Sequence, residues 1–304
     1  MQHDVIIVGG SFAGLSAAMQ LARARRRVLV IDTGLPSNRF AVASHGFLGQ
    51  DGRTPAAIRD EARRQLAAYP TVTFIDDEAI KAERAEDGFL LALRGGGQEK
   101  GRLLVLATGL RDELPPIPGL AERWGRTVLH CPYCHGYEIG EGRSLGVLAN
   151  GPHAAHQAAL VVDWGAVTLF TQSIFEPDAE QRTLLEARGV AIERSPVTAL
   201  VGDAPNLEAV RLADGKVVRV DALFTAPTIH MASPLADQLG CAFEDGPMGL
   251  MIKVDPMKET SVPGVFAAGD AASPMHNATL ASAAGVMAGV GAHRSLIMEA
   301  VAQR

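Results

Sequence analysis

Only three cysteines occur in 304 residues, and no export signal precedes them, so a structural disulfide is not expected. No stretch of about 18 uncharged apolar residues exists, which argues against a membrane span. The first residues lack a basic start and a cleavage site and enter a strand at once, Asp4-Val5-Ile6-Ile7-Val8, which favours the cytosol. Charge of one sign is also missing: the net charge is −6 and the basic residues are scattered, so nucleic acid is not the expected partner. The densest basic run, Arg23-Ala24-Arg25-Arg26-Arg27, reads as the end of an amphipathic helix, where cations complement the dipole. Low-complexity segments are absent apart from Gly95-Gly96-Gly97, which reads as a hairpin turn.

What the chain does contain is concentrated. At 47% hydrophobic it can bury substantial cores, and its length suggests two domains. Cys131 and Cys134 are separated by two residues in His130-Cys131-Pro132-Tyr133-Cys134-His135-Gly136. That spacing lets two thiols close a small ring or exchange disulfides with a substrate, and in an intracellular protein such a pair is more often catalytic than structural. Cys-x-x-Cys-His is also an attachment signature of c-type haem, but that chemistry needs export. A structural zinc site needs four ligands, and Cys241 with stray histidines makes an unconvincing set. Cys241 reads as a buried small hydrophobe and Met248, Met251 and Met257 as packing or surface residues, so no metal is expected.

An internal repeat organises the rest. Val5-Ile6-Ile7-Val8 leads into the turn Gly9-Gly10-Ser11-Phe12-Ala13-Gly14, a helix follows, and then Val28-Leu29-Val30-Ile31-Asp32. A second copy comprises Leu145-Gly146-Val147-Leu148, the turn Ala149-Asn150-Gly151-Pro152-His153-Ala154, a helix to about Trp164, and Val167-Thr168-Leu169-Phe170. Two βαβ units of one kind imply two nucleotide-binding-type domains. In the first, Gly9 permits the tight turn, Gly14 the close helix–strand contact, and Asp32 can accept from a ribose hydroxyl, while Ser11 stands where a middle glycine is usual. In the second, Ala149 and Ala154 replace two glycines, Gln172 stands in place of the acid, and Thr171–Phe175 carries no arginine for a 2′-phosphate.

Two further segments suit a flavin. Leu103-Leu104-Val105-Leu106-Ala107-Thr108-Gly109 is a buried strand ending in a small-residue turn. Val265-Phe266-Ala267-Ala268-Gly269-Asp270 is another, and a helix from about Ala278 to Leu296 follows it. A carboxylate at a strand's C-terminal edge, with a helix N-terminus behind it, suits ribityl and ring-edge atoms; otherwise Asp270 is a helix cap or loop acid.

Taken together, these segments resemble the low-molecular-weight thioredoxin reductase superfamily of FAD-dependent disulfide oxidoreductases, over nearly the whole chain. Within it, Cys131-Pro132-Tyr133-Cys134-His135-Gly136-Tyr137-Glu138, with Asn38-Arg39-Phe40, His45-Gly46 and Asp51-Gly52, looks closest to the dithiol oxidases of the gliotoxin and holomycin type. The resemblance implies an α/β fold of two Rossmann-like domains, the second inserted into the first. An FAD-binding domain of residues 1–113 and 243–304 would enclose an NAD(P)-binding-type domain of residues 114–242 that carries the cysteine pair. Expected around FAD are Gly9, Ser11, Ala13, Gly14, Asp32, Thr33, Asn38, Arg39, His45, Thr108, Gly109, Gly269, Asp270, Ala278 and Thr279. A homodimer is expected from the resemblance alone.

The resemblance also implies that Cys134 faces the flavin and Cys131 exchanges with substrate. A helix opening at the pair favours the thiolate, and His135 or His130 can take the proton; the alternative is that His130 caps a strand end and His135 fills the turn. The leading expectation is a cytoplasmic enzyme that oxidises a small dithiol, or a small redox protein, and passes electrons through FAD to oxygen. Ordinary reductases of the superfamily carry a His-Arg-Arg run after the second strand of the second unit; its absence here puts NADPH in doubt, unless Arg182, Arg188 or Arg194 folds back to supply charge. The alternatives are an NADPH-dependent reductase of the thioredoxin type, a reductase fed by ferredoxin, and a flavin-binding redox sensor without turnover.

Overall fold

The computed structural model describes residues 2–302. The chain divides into two compact units: residues up to Arg39, Pro55–Asp112 and Ile229 onward form one, and Phe40–Thr54 with Glu113–Thr228 form the other. Both are Rossmann-like, as the repeat implied.

The first unit is built on a seven-stranded sheet. Its parallel part runs Val72–Asp76, Val28–Asp32, His3–Val8, Gln98–Leu106 and Val265–Ala267. Val5, Ile6 and Ile7 are fully buried, because a parallel strand between helical layers is covered on both faces. Ala79–Ala85 and Gly88–Leu93 join antiparallel to the start of Gln98–Leu106, and the triple glycine makes the turn between the last two. The helix Phe12–Arg23 follows the first turn, and the long helix Ala278–Ala302 packs on it. A Cβ at Gly285 would sit 2.0 Å from the carbonyl oxygen of Ala13, so only glycine allows this approach. The small buried face Ala13, Ala17, Ala18 and Leu21 is the other half of that contact.

The second unit has a five-stranded parallel sheet in the order Ala191–Glu193, Gly165–Phe170, Arg143–Leu148, Ala222–Thr225 and Val128–Leu129. The helix His153–Val161 and a 3₁₀ turn, Val162–Trp164, link its two central strands. A three-stranded antiparallel sheet, Val197–Val201, Ala209–Leu212 and Val217–Arg219, completes it.

The units depart from the expected boundaries at two segments. Residues 40–54 go with the cysteine unit because Gly125 packs directly on Phe40: a Cβ there would lie 2.7 Å from the Phe40 Cβ. Residues 229–242 go with the other unit. Gln238 Oε1 accepts from the Ala82 N–H at 2.9 Å, its Nε2 donates to the Ile80 carbonyl at 3.1 Å, and Leu235 is fully buried in that core. Among the described residues no helix is long and apolar enough to cross a membrane.

Candidate active site

In the first unit the glycine turn is enforced by backbone contacts. A Cβ at Gly9 would lie 2.1 Å from the Ala107 carbonyl oxygen, and one at Gly14 would lie 1.8 Å from that of Gly9. Ser11 caps the following helix through extended backbone, and its hydroxyl makes no cap bond. Ala13 and Gly14 begin the helix behind it, where backbone N–H groups lack intrahelical acceptors and suit a pyrophosphate.

Asp32 is buried at the end of its strand. Its Oδ1 accepts the Gly10 N–H at 3.0 Å, while Oδ2 is buried and accepts no hydrogen bond. A buried carboxylate oxygen left this way costs about 1–3 kcal/mol, so it is built to receive a donor. Arg63, which no motif singled out, stands 3.5 Å from that oxygen. It donates to Asp76 Oδ1 at 2.8 Å, and its guanidinium lies over the Phe74 ring at 4.6 Å.

The other expected cofactor residues of this unit are spread over several elements. Thr33 and Arg39 are exposed; Thr33 Oγ1 accepts from Leu35 N–H and Arg39 donates to the Pro36 carbonyl. Asn38 presents a buried Oδ1 with no partner. Thr108 and Gly109 lie in the turn after the strand Gln98–Leu106, with Gly109 in the left-handed region at φ 66°. Gly269, at φ 80°, precedes Asp270 in a short turn after Val265–Ala267. Burial raises Asp270 above the usual carboxylate range; His276 opposes this and Asp112 adds to it. Ala278 and Thr279 open the long helix, whose cap is Asn277: its Oδ1 accepts from the Thr279 N–H at 2.8 Å. Asn277 was missed because an asparagine before an alanine-rich helix has no motif beyond its capping preference.

In the second unit Cys131 caps the helix Pro132–Ile139 with Pro132 at its first position. Proline there loses no hydrogen bond, because the first N–H groups of a helix have no partner inside it. Both cysteines are free thiols, and Cys134 Sγ–H donates to Cys131 Sγ at 2.7 Å. That donated hydrogen bond brings Cys131 down to about 7 against burial, with the Cys134 and Tyr133 N–H groups assisting. The same bond, burial and the neighbouring charge push Cys134 up. The pair is therefore asymmetric: Cys131 is the thiol that ionises first, and Cys134 holds its proton more tightly. Gly136 seats the helix on Trp164, since a Cβ would lie 2.7 Å from the indole, and Tyr133 meets the same ring edge-on at 5.6 Å.

His135 is lowered, chiefly by burial; Glu138 pulls it up and His45 pushes it down. His45, expected beside the cofactor, is part of the cysteine unit, its Nδ1 3.4 Å from Glu138 Oε1 and 3.6 Å from Asp51 Oδ2. His130 holds the end of the preceding strand through its carbonyl, which accepts from Gln157 Nε2 at 3.0 Å.

The region after the strand Gly165–Phe170, where a 2′-phosphate would need cations, is committed to protein contacts. Gln172 adopts left-handed backbone at φ 58° and turns its Oε1 to the Val197 N–H at 3.1 Å. Arg194 pairs with Glu176, Arg188 donates to Asp163 and to the Ala159 carbonyl, and Arg182 donates to the Pro177 carbonyl.

A sequence profile of the pyridine nucleotide-disulphide oxidoreductase family matches residues 3–288. The chain belongs to that family. Thioredoxin reductase tcpT of Claviceps purpurea is 34% identical over 323 residues, covering 99% of this chain and 96% of that one. Among solved structures, an oxidoreductase from Agrobacterium tumefaciens is 48% identical with a TM-score of 0.93, covering 98% of this chain and 99% of its own. HlmI is 38% identical with a TM-score of 0.92, covering 99% of this chain and 95% of its own. The expectation of a thioredoxin reductase-like disulfide oxidoreductase is thereby borne out. This member of the family is an FAD-dependent enzyme. Its own residues fit the group, because the glycine cradle of Gly9 and Gly14 and the unsatisfied Asp32 Oδ2 suit a pyrophosphate and a ribose.

Proposed function

We propose that this enzyme runs in the oxidising direction, converting a small dithiol to a disulfide with oxygen as terminal acceptor. The observation that carries the reading is the region after the strand Gly165–Phe170, where Gln172 Oε1 accepts the Val197 N–H and Arg194 is committed to Glu176. A 2′-phosphate is a dianion that needs charge-assisted donors, and each candidate arginine already has a partner.

In the resting enzyme Cys131 and Cys134 are joined as a disulfide. His135 takes the proton of the first substrate thiol, and the thiolate attacks Cys131 Sγ. The Cys131–Cys134 bond breaks, and Cys134 leaves with the proton that His135 returns. His135, neutral again, takes the proton of the second substrate thiol. That thiolate attacks the substrate sulfur joined to Cys131, and Cys131 departs as a thiolate, a good leaving group with its pKa near 7. Two electrons have moved from the substrate to the pair. Bound FAD would supply the acceptor for that electron pair and the link to oxygen. Gly9, Ser11, Ala13, Gly14, Asp32, Asn38, Thr108, Gly269, Asp270 and Thr279 are the residues we assign to holding it. The reading includes a soluble cytoplasmic homodimer whose two domains follow the chain division given above.

A second reading, an NADPH-dependent disulfide reductase, is favoured by the relatives that carry the name thioredoxin reductase. Anaerobic mixing separates the two. Rapid loss of flavin colour with a small dithiol and its return with oxygen is the expected result; rapid bleaching by micromolar NADPH rejects it.

A further inference from the structure

His135 is half-buried on its helix, and a base there needs a route by which its proton reaches solvent. Glu138 lies three residues on, on the same helical face, with its side chain 42% exposed. The loop 40–54 brings a second imidazole to that carboxylate. Its ends are closed by the Ser44–Arg53 bridge, with Ser44 N–H donating to the Arg53 carbonyl at 2.8 Å. Asp51 Oδ1 accepts the Gly46 N–H at 2.8 Å, which fixes the loop around His45. His45 Nδ1 thus faces Glu138 Oε1 at 3.4 Å and Asp51 Oδ2 at 3.6 Å. Both are ion-pair distances, too long for hydrogen bonds.

We propose that Glu138, held against His45, is the group through which His135 exchanges protons with solvent during thiol–disulfide exchange. Glu138 and His45 are positioning residues in this scheme, since neither touches the reacting sulfurs. The groups facing His135 are Glu138 from its own helix and His45 from the loop, with Asp51 behind His45. Their effects oppose: the carboxylate pulls His135 up and the imidazole pushes it down. The inference rests on the proposed base role of His135, and it does not depend on whether oxygen or NADPH is the electron partner.

The test uses the FAD-loaded enzyme with Glu138→Gln, Glu138→Asp and His45→Gln. In the oxidised resting protein, NMR titration of His135 should move to lower pH in Glu138→Gln and to higher pH in His45→Gln. Each shift is expected to be up to about 1 unit, the usual scale of environmental shifts in folded proteins. Dithiol turnover of Glu138→Gln in dilute buffer should fall towards the roughly 10²-fold that a positioned proton carrier contributes. Added acetate should restore it, and Glu138→Asp should lose little. An unmoved His135 titration, wild-type turnover in dilute buffer, or a loss that acetate does not mend each overturns the inference. The titration needs no substrate, so it stands apart from any failure of the oxidase reading, which shows as NADPH bleaching of the wild-type protein.

Discussion

Arg194 spends both edges of its guanidinium on Glu176: Nε donates to Oε2 at 2.9 Å and the terminal nitrogen to Oε1 at 2.6 Å. This bidentate pair commits one of the arginines that could supply charge to a 2′-phosphate, and it holds Glu176 below the usual carboxylate range. A 2′-phosphate brought there meets an acid rather than a free base.

NADPH and NADH should therefore reduce the flavin at rates within about tenfold of each other, because the missing arginine contact is worth about 1.5–3 kcal/mol, or ten- to a hundredfold. Glu176→Gln frees Arg194 and should raise the preference for NADPH. Stopped-flow absorbance with each nucleotide gives both numbers, and a strong wild-type preference for NADPH contradicts the assignment.

The two thiols should be chemically distinct in the reduced protein. Cys131, lowered to about 7 by the Cys134 hydrogen bond, has a thiolate fraction that rises as pH climbs through that value. Iodoacetamide should label it first, with a rate that is half its maximum at about pH 7 and levels off about a unit above it. Cys134, held protonated, should react only slowly. Serine at either position should abolish turnover while FAD stays bound, since neither thiol belongs to the glycine cradle. Peptide mapping of the alkylated protein with faster labelling at Cys134 reverses the assignment.

The strands and the first turn were readable because their cause is local. Uninterrupted Val/Ile runs mark strands covered on both faces, and Gly9 and Gly14 are required by carbonyls 2.1 Å and 1.8 Å from where a Cβ would be. The cysteine helix was readable too, since Pro132 after Cys131 marks a helix start. The position of the loop 40–54 was not. It depends on Gly125 meeting Phe40 and on Glu138 meeting His45, contacts between residues far apart in sequence. Arg63 escaped for the same reason: only the pairing of neighbouring strands makes two acids need it.

That pairing sets Asp32 directly opposite Asp76 in the parallel register, and Arg63 stands between the two carboxylates. Asp32→Ala should weaken FAD binding by ten- to a hundredfold, the range for losing a hydrogen bond to a charged group. Arg63→Ala should weaken it less, through repulsion between the acids, and Asp76→Asn in that background should recover most of the loss. Titration of apoprotein with FAD by fluorescence quenching measures all three, and full affinity in Asp32→Ala would remove Asp32 from the site.

His135→Ala should lower dithiol turnover by roughly 10²–10⁴-fold with FAD content unchanged, the range for removing a general acid–base. The sign of the pH dependence follows from its environment. Burial favours the neutral ring and holds His135 below the ordinary histidine value, with Glu138 only partly opposing. A base must be neutral to accept a proton, so kcat/KM should stay flat down through the ordinary histidine range and fall only at more acid pH. In the resting disulfide form neither Cys131 nor Cys134 titrates, so this acid limb belongs to His135 or to the substrate. The His135→Ala enzyme distinguishes the two, because a limb that persists unchanged in the variant is the substrate's. A loss smaller than about tenfold across the whole pH series would make His135 a packing residue.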